Sequence, residues 1–322
     1  MEYRTLGRTG IRVSEIGYGS WGIAGGMWKG AVEAESLRAL HRAVDLGLNF
    51  IDTALVYGDG KSEELVGRFV RERKEKLTIA TKVPPINQRW PARPGTTLEQ
   101  AFPFEHIIEC TETSLRNLGV ETIDLQQFHV WLDDWTGQQA WIDAVARLKE
   151  QGKIRFAGIS VNDHQPESVL KVARSGLIDS FQVIYNIFDQ TPEDELLPLS
   201  QALNIGVIAR VPFDEGALTG AITADSFFPD GDWRGWYFRG DRKGEVQEHI
   251  DPLKATLGGE AKTLPELALR FCLQRREVST VIPGMRTVLH AEANCGVSDG
   301  RRLSDPLLAV LRRHRWNKNY YR

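Results

Sequence analysis

"ESLRALHRAVDLGLNFIDTA", residues 35–54, contains the unit from which the rest of the chain is built. Leu37, Leu40 and Val44 stand at i, i+3 and i+7, which puts them on one face of a helix. Gly47 follows, and a glycine ends a helix because it takes the left-handed conformation at little steric cost. "NFIDTA" then reads as a short buried strand closed by a carboxylate, Asp52. The same order returns along the chain. "SEELVGRFVRERK", with Ser62 as its expected N-cap, leads into "LTIATKV". "TSLRNLG" precedes "IDLQQFHV", "WIDAVARLKEQG" precedes "RFAGISV", and "ESVLKVARSG" precedes "SFQVIYN". "EDELLPLSQALNIG" precedes "VIARVP", and "LPELALRFCLQRR" precedes "STVIPG". With "EIGYGSW" in front, eight strands result.

These strands are continuous apolar runs, as expected when both faces of a sheet are covered. Eight strand–helix units over 322 residues predict an α/β fold, a (β/α)8 TIM barrel spanning 1–322 as one domain. An open doubly wound sheet shares the alternation and stays open as the rival. "YRTLGRTGIRVSEIG" predicts a short N-terminal β-hairpin, with its turn at Gly7 to Gly10. Residues 84–103 and about 213–255 are the least regular stretches, rich in Gly, Pro and Trp, and are expected to be long βα loops over the C-terminal face.

A formal net charge of −3 without like-charge runs gives no sign of a nucleic-acid surface. Cys110, Cys272 and Cys295 lie far apart in an odd count, which argues against a disulfide framework and fits a reducing compartment. No stretch approaches the roughly 18–20 apolar residues of a membrane span. A soluble cytoplasmic protein is expected. "GYGSWG" satisfies G-x-G-x-x-G at Gly17, Gly19 and Gly22. The poor helix former "IAGGMWKG" follows it, so the motif lacks the helix N-terminus that would hold a pyrophosphate. It reads instead as a strand entering a tight bend, with Trp21 at the mouth of the barrel.

Polar residues recur where strands end: Asp52 after the second strand, Lys82 after the third, His129 after the fourth, and Tyr57 in the loop past Asp52. In a barrel such ends converge on one pocket. Each alone has a bland explanation as a cap, a solvated charge, a structural histidine or a lid. Together they suit the polarisation and protonation of a carbonyl oxygen. A phenol ionises near pKa 10, and an ammonium beside it is expected to make it more acidic. The carboxylate would hold the lysine, and the imidazole would orient the oxygen. None of the four supplies hydride, so a reducing cofactor is required.

"GLNFIDTALVYG", "TKV" and "DLQQFHVW" together resemble the signatures of the aldo-keto reductase superfamily, and the resemblance covers nearly the whole chain. It implies a (β/α)8 barrel, NADPH or NADH bound without a Rossmann domain, no metal, and a catalytic tetrad at Asp52, Tyr57, Lys82 and His129. It also implies nicotinamide-carboxamide contacts from Ser160 and Gln182. Val161 follows Ser160, so the expected asparagine, Asn162, comes one place late. In "ARVPFDEGALTG", Arg210 takes the place of a stacking aromatic and Val211 that of a serine, with Phe213 continuing the cofactor segment. An ion pair between Arg210 and Asp214 or Glu215 is the structural alternative. In "IPGMRTVLHAEAN", Gly284, Arg286 and Asn294 match the adenosine-phosphate segment. Arg286 points to NADP(H), while Ala293, with the acid Glu292 one place earlier, leaves NAD(H) open.

Trp21 and Trp131 are expected to contact substrate, since aromatic faces stack on sugars and aryl rings. A small-molecule carbonyl or polyol is the expected partner, with no nucleic acid and no membrane, and the oligomeric state is unspecified. The competing class is a slow-turnover, cofactor-binding regulatory subunit resembling potassium-channel β subunits. A metal-dependent barrel hydrolase would want paired histidine ligands, and the seven histidines are scattered singly.

Overall fold

The computed structural model describes residues 1–321. Strands β1 (Tyr3–Thr5) and β2 (Arg12–Ser14) form the expected antiparallel hairpin. Eight parallel strands follow in chain order: β3 (Tyr18–Gly19), β4 (Phe50–Asp52), β5 (Thr78–Val83), β6 (Ile123–Phe128), β7 (Ile154–Ser160), β8 (Ser180–Ile184), β9 (Gly206–Arg210) and β10 (Val278–Val281). Each pairs with its sequence neighbour. The ends of this row meet, because Gly17 N donates to Val281 O at 2.8 Å, Val281 N to Glu15 O at 2.9 Å and Gly19 N to Pro283 O at 3.1 Å. The sheet therefore closes into a barrel, and the doubly wound alternative is excluded.

The hairpin closes the barrel floor. Leu6 and Val13 are fully buried in a cluster with Phe50, Ala80, Leu125 and Ile208, which are strand side chains of the barrel interior. Gly7 (φ +48°) lies so close to β9 that a Cβ there would come within 2.2 Å of Gly206 N. The larger core lies between the barrel and its outer helices. Helix Glu33–Asp45 turns Ala39, Leu40, Ala43 and Val44 inward, and Gly47 after it has φ +95°.

Ser62 is not the N-cap that its position suggested. Gly60 caps helix Lys61–Glu72, and Ser62 lies within it. Its hydroxyl instead joins Ser20 Oγ at 2.7 Å and Thr53 Oγ1 at 2.9 Å, tying the helix to the ends of two strands. The region 84–103 is mostly irregular and bends over the barrel mouth. The region 213–255 is not, since it contains helices Trp233–Tyr237 and Arg242–Lys254. The second buries only Val246, Ile250 and Leu253 and carries Pro252 inside it, too sparse an apolar stripe to stand out as a helix. Trp233 N donates to Met27 O at 2.7 Å and Lys29 N to Asp232 Oδ2 at 3.2 Å, so this region is bonded to the first βα loop across the barrel top. The three cysteines are free and buried. Among the described residues, no helix is long and apolar enough to cross a membrane.

Candidate active site

Lys82, at the end of β5, is fully buried, and its ammonium has three protons to place. One goes to Asp52 Oδ1 at 2.5 Å and one to Thr53 O at 2.8 Å. The third points to Tyr57 OH at 3.4 Å. The other oxygen of Asp52 accepts from Gln182 Nε2 at 2.6 Å and Gln127 Nε2 at 3.3 Å. With both oxygens engaged, Asp52 is a fixed counter-ion that aims the lysine. Four strands, β4, β5, β6 and β8, thus bring one carboxylate, one ammonium and two amides into contact.

Tyr57 and His129 meet edge to face, with ring centroids 5.9 Å apart. Both line a recess, together with Trp90, Ser160, Asn162, Asp163, Gln182 and Arg210. His129 Nδ1 and Arg210 Nε are buried there without a hydrogen-bond partner. Buried polar atoms are rarely left so, and these two suit a bound polar ligand. Trp21 stacks on the other side of Tyr57, at 6.1 Å and 30° between planes.

Electrostatics correct one expectation. Burial pushes the Tyr57 phenol above its ordinary range, and the Asp52 charge adds to this; the Lys82 ammonium opposes the rise but does not reverse it. Tyr57 is therefore protonated at neutral pH, with its proton held beside a cation. Burial, reinforced by the positive charges of Lys82 and Arg210, pushes His129 well below the usual histidine range and keeps its imidazole neutral. Glu215, buried beside Asp214 and Asp163, is raised to about 7 although Tyr321 donates to it and Arg210 lies near.

Arg210 pairs with neither Asp214 nor Glu215. Its Nη2 donates to Asp163 Oδ1 at 2.7 Å and to Val161 O at 3.0 Å, which fixes the guanidinium against the recess. Asn162 lines the recess, but its amide closes a reciprocal pair with the backbone of Trp131, accepting from N at 3.2 Å and donating to O at 2.9 Å. Trp131 itself is fully buried among Phe128, Trp135 and Trp141. It packs in the core and does not line the recess, although His129 and Val130 just before it do. The tryptophan in the recess is Trp90, whose ring meets His129 at 5.8 Å.

Phe213 is partly buried against the core, and Val211 has φ +55°, unusual for a β-branched residue. Gly284 bridges to Gly19 where the barrel closes. Arg286 donates to Lys29 O at 2.9 Å and lies over the Trp28 ring, and Asn294 is buried on helix Val288–Cys295. Sequence reasoning missed Gln127 and Asp163. Gln127 was detectable, because it alternates with Leu125 and His129 on one face of β6 and so marks a polar residue facing the interior.

The barrel and this recess fit one family. A family profile described as the Aldo/keto reductase family matches residues 15–314, and the chain belongs to that family. It is thus an oxidoreductase of the kind that acts on small-molecule carbonyls with a nicotinamide cofactor. The aldo-keto reductase YhdN of Bacillus subtilis (strain 168) is 31% identical over 301 residues, covering 91% of this chain and 87% of that one. Among solved structures, the glycerol dehydrogenase AKR11B4 from Gluconobacter oxydans superposes with a TM-score of 0.79 at 29% identity, covering 97% of this chain and 94% of that one. The aldo-keto reductase AKR11C1 from Bacillus halodurans, in its holo form, gives a TM-score of 0.72 at 29% identity over 98% of this chain and 95% of that one.

Proposed function

We propose that this protein interconverts a small aldehyde or ketone and its alcohol, with Tyr57 as the proton donor in the reducing direction. One observation carries the reading: the Tyr57 hydroxyl lies 3.4 Å from the Lys82 ammonium, which Asp52 clamps from the other side. A bound nicotinamide would supply the hydride. The chain's own groups do the rest. Tyr57 gives its proton to the carbonyl oxygen as negative charge builds there, and Lys82 stabilises the phenolate left behind. Neutral His129 donates a hydrogen bond that orients the oxygen. In the oxidising direction the same phenolate takes the proton back.

The recess fits such a cofactor in its donor and acceptor pattern. Ser160 and Gln182 are adjacent in register on β7 and β8 and both line it, as does Arg210 with its unpartnered Nε. These would hold the nicotinamide end, and Arg286 and Asn294 the adenosine end. Arg286 favours NADP(H), because a guanidinium pairs with phosphate in a bidentate way. The aromatic Trp90 wall and the likeness to a glycerol dehydrogenase support a small hydroxylated carbonyl.

The test is a panel of carbonyls and polyols with both phosphorylated and unphosphorylated nicotinamides, followed by absorbance of the reduced ring. Turnover is expected with small hydroxyaldehydes, and Tyr57→Phe is expected to lower kcat by about 10²–10⁴. A Tyr57→Phe enzyme as fast as wild type would refute the role of the phenol. Tight cofactor binding without turnover across the panel would favour a regulatory subunit instead.

A further inference from the structure

Backbone strain gathers in the loop after β9. Of the seven non-glycine residues with positive φ among those described, Val211 (+55°), Asp214 (+49°) and Glu215 (+57°) fall within five positions, and Gly216 follows at +106°. Such conformations persist only where surrounding contacts over-determine them. Inside the loop there are few: Asp214 N bonds Val211 O at 3.0 Å, and Gly216 N bonds Phe213 O at 2.9 Å.

From outside the loop, Asn186 Nδ2 donates to Val211 O at 3.0 Å, and the side chains of Asp214 and Glu215 are held from the far end of the chain. Lys318 Nζ donates to Asp214 Oδ1 at 2.8 Å, and both side chains are almost entirely buried. Tyr321 OH donates to Glu215 Oε1. The Tyr321 ring also reaches the opposite wall of the site, standing 6.0 Å from Trp233, which is 5.8 Å from the Trp21 that stacks on Tyr57. This segment is well seated. Trp316 stacks its ring on His249 at 3.6 Å and donates its backbone N–H to Phe188 O at 2.9 Å, and Arg242 Nη1 donates to Tyr320 O at 2.9 Å.

We propose that residues 316–321 form a strap, in which Lys318 and Tyr321 grip Asp214 and Glu215 and hold the strained 211–216 loop in the shape that binds cofactor. Lys318 and Tyr321 are positioning residues. They act through a loop that begins directly after Arg210, itself part of the recess wall. Without Lys318, Asp214 would be a buried charge with no counter-ion, and the loop would relax to ordinary dihedrals and expose it to water. The apparent dissociation constant then rises by the factor by which the competent loop is depopulated. The consequence for binding rests on the reading of the recess as a nicotinamide site, whereas the holding of the loop does not.

Two measurements on the full chain separate these points. Hydrogen exchange at the amides of 211–218 is expected to be faster in Lys318→Met than in wild type, and near wild type in Lys318→Arg, which keeps the pair. NADPH titration by fluorescence is expected to give Lys318→Met a Kd raised about tenfold, with kcat at saturating cofactor changing less than Kd. Unchanged exchange in a folded Lys318→Met protein overturns the strap whatever the cofactor does. Unchanged Kd alongside faster exchange overturns its link to binding. A wild-type protein that binds neither NADPH nor NADH counts against the reading of the recess, and the exchange result then decides the strap. Should Lys318→Met fail to fold, Tyr321→Phe, which removes only one hydroxyl, takes its place: faster exchange supports the strap and unchanged exchange overturns it.

Discussion

Glu215→Gln is expected to make the protein more stable at alkaline pH and to leave it unchanged in acid. Glu215 is buried with a carboxyl raised from 4.5 to about 7, because burial penalises its charged form and Asp214 and Asp163 repel it. A native pKa above the unfolded one means that the folded state holds the proton more tightly. The contribution is therefore fully present below about pH 4.5 and is lost as pH rises through about 7. At about 1.4 kcal/mol per pH unit, the loss amounts to about 3 kcal/mol. Glutamine stays neutral throughout and can still accept from Tyr321, so the variant lacks that loss. Urea unfolding of both proteins from pH 4 to pH 8.5 measures the difference. Its expected course is a value near zero in acid, growing through neutrality to about 3 kcal/mol in favour of the variant. A difference that does not change with pH would refute the claim that Glu215 is held protonated by its surroundings.

Lys82→Met leaves Asp52 as a buried charge without its cation, which is expected to cost about 3–5 kcal/mol of stability as well as activity; thermal unfolding beside a turnover assay checks both. Trp131→Ala is expected to cost about 3–5 kcal/mol through the cavity it leaves in the Phe128–Trp135–Trp141 cluster, with KM for the carbonyl little changed; a KM shift larger than the stability loss would return Trp131 to the substrate wall. Since His129 is kept neutral well below the usual histidine range, kcat/KM for reduction is expected to show no acid limb near pH 6.5 from this residue, and a limb there that disappears in His129→Gln would contradict it.

Helix, glycine and strand could be read along the chain because each is a local pattern. A stripe at 3.6-residue spacing, a C-terminal glycine and an apolar run need no distant partner to be recognised. Asp52, Lys82 and His129 can be read the same way, as polar interruptions at strand ends, with Tyr57 in the loop just past the first of them. Helix Arg242–Lys254 was missed because its apolar stripe is thin and a proline interrupts it. Trp131 was misplaced because a tryptophan after a strand end looks the same whether the chain turns toward the recess or toward the core. Burial is a property of the packed whole.

What the sequence by itself determined is the order of elements and the residue types that reach the barrel mouth, since both follow from periodicity and from the convergence of parallel strand ends. Tertiary structure alone decided closure over an open sheet, which depends on hydrogen bonds between the first and last strands. It also decided the direction in which Tyr57 titrates, because burial and three neighbouring charges compete there and only distances settle which prevails. And it decided the partners of Arg210 and Asp214: each has several candidates in the sequence, but a charge pairs with what folding brings within about 3 Å of it.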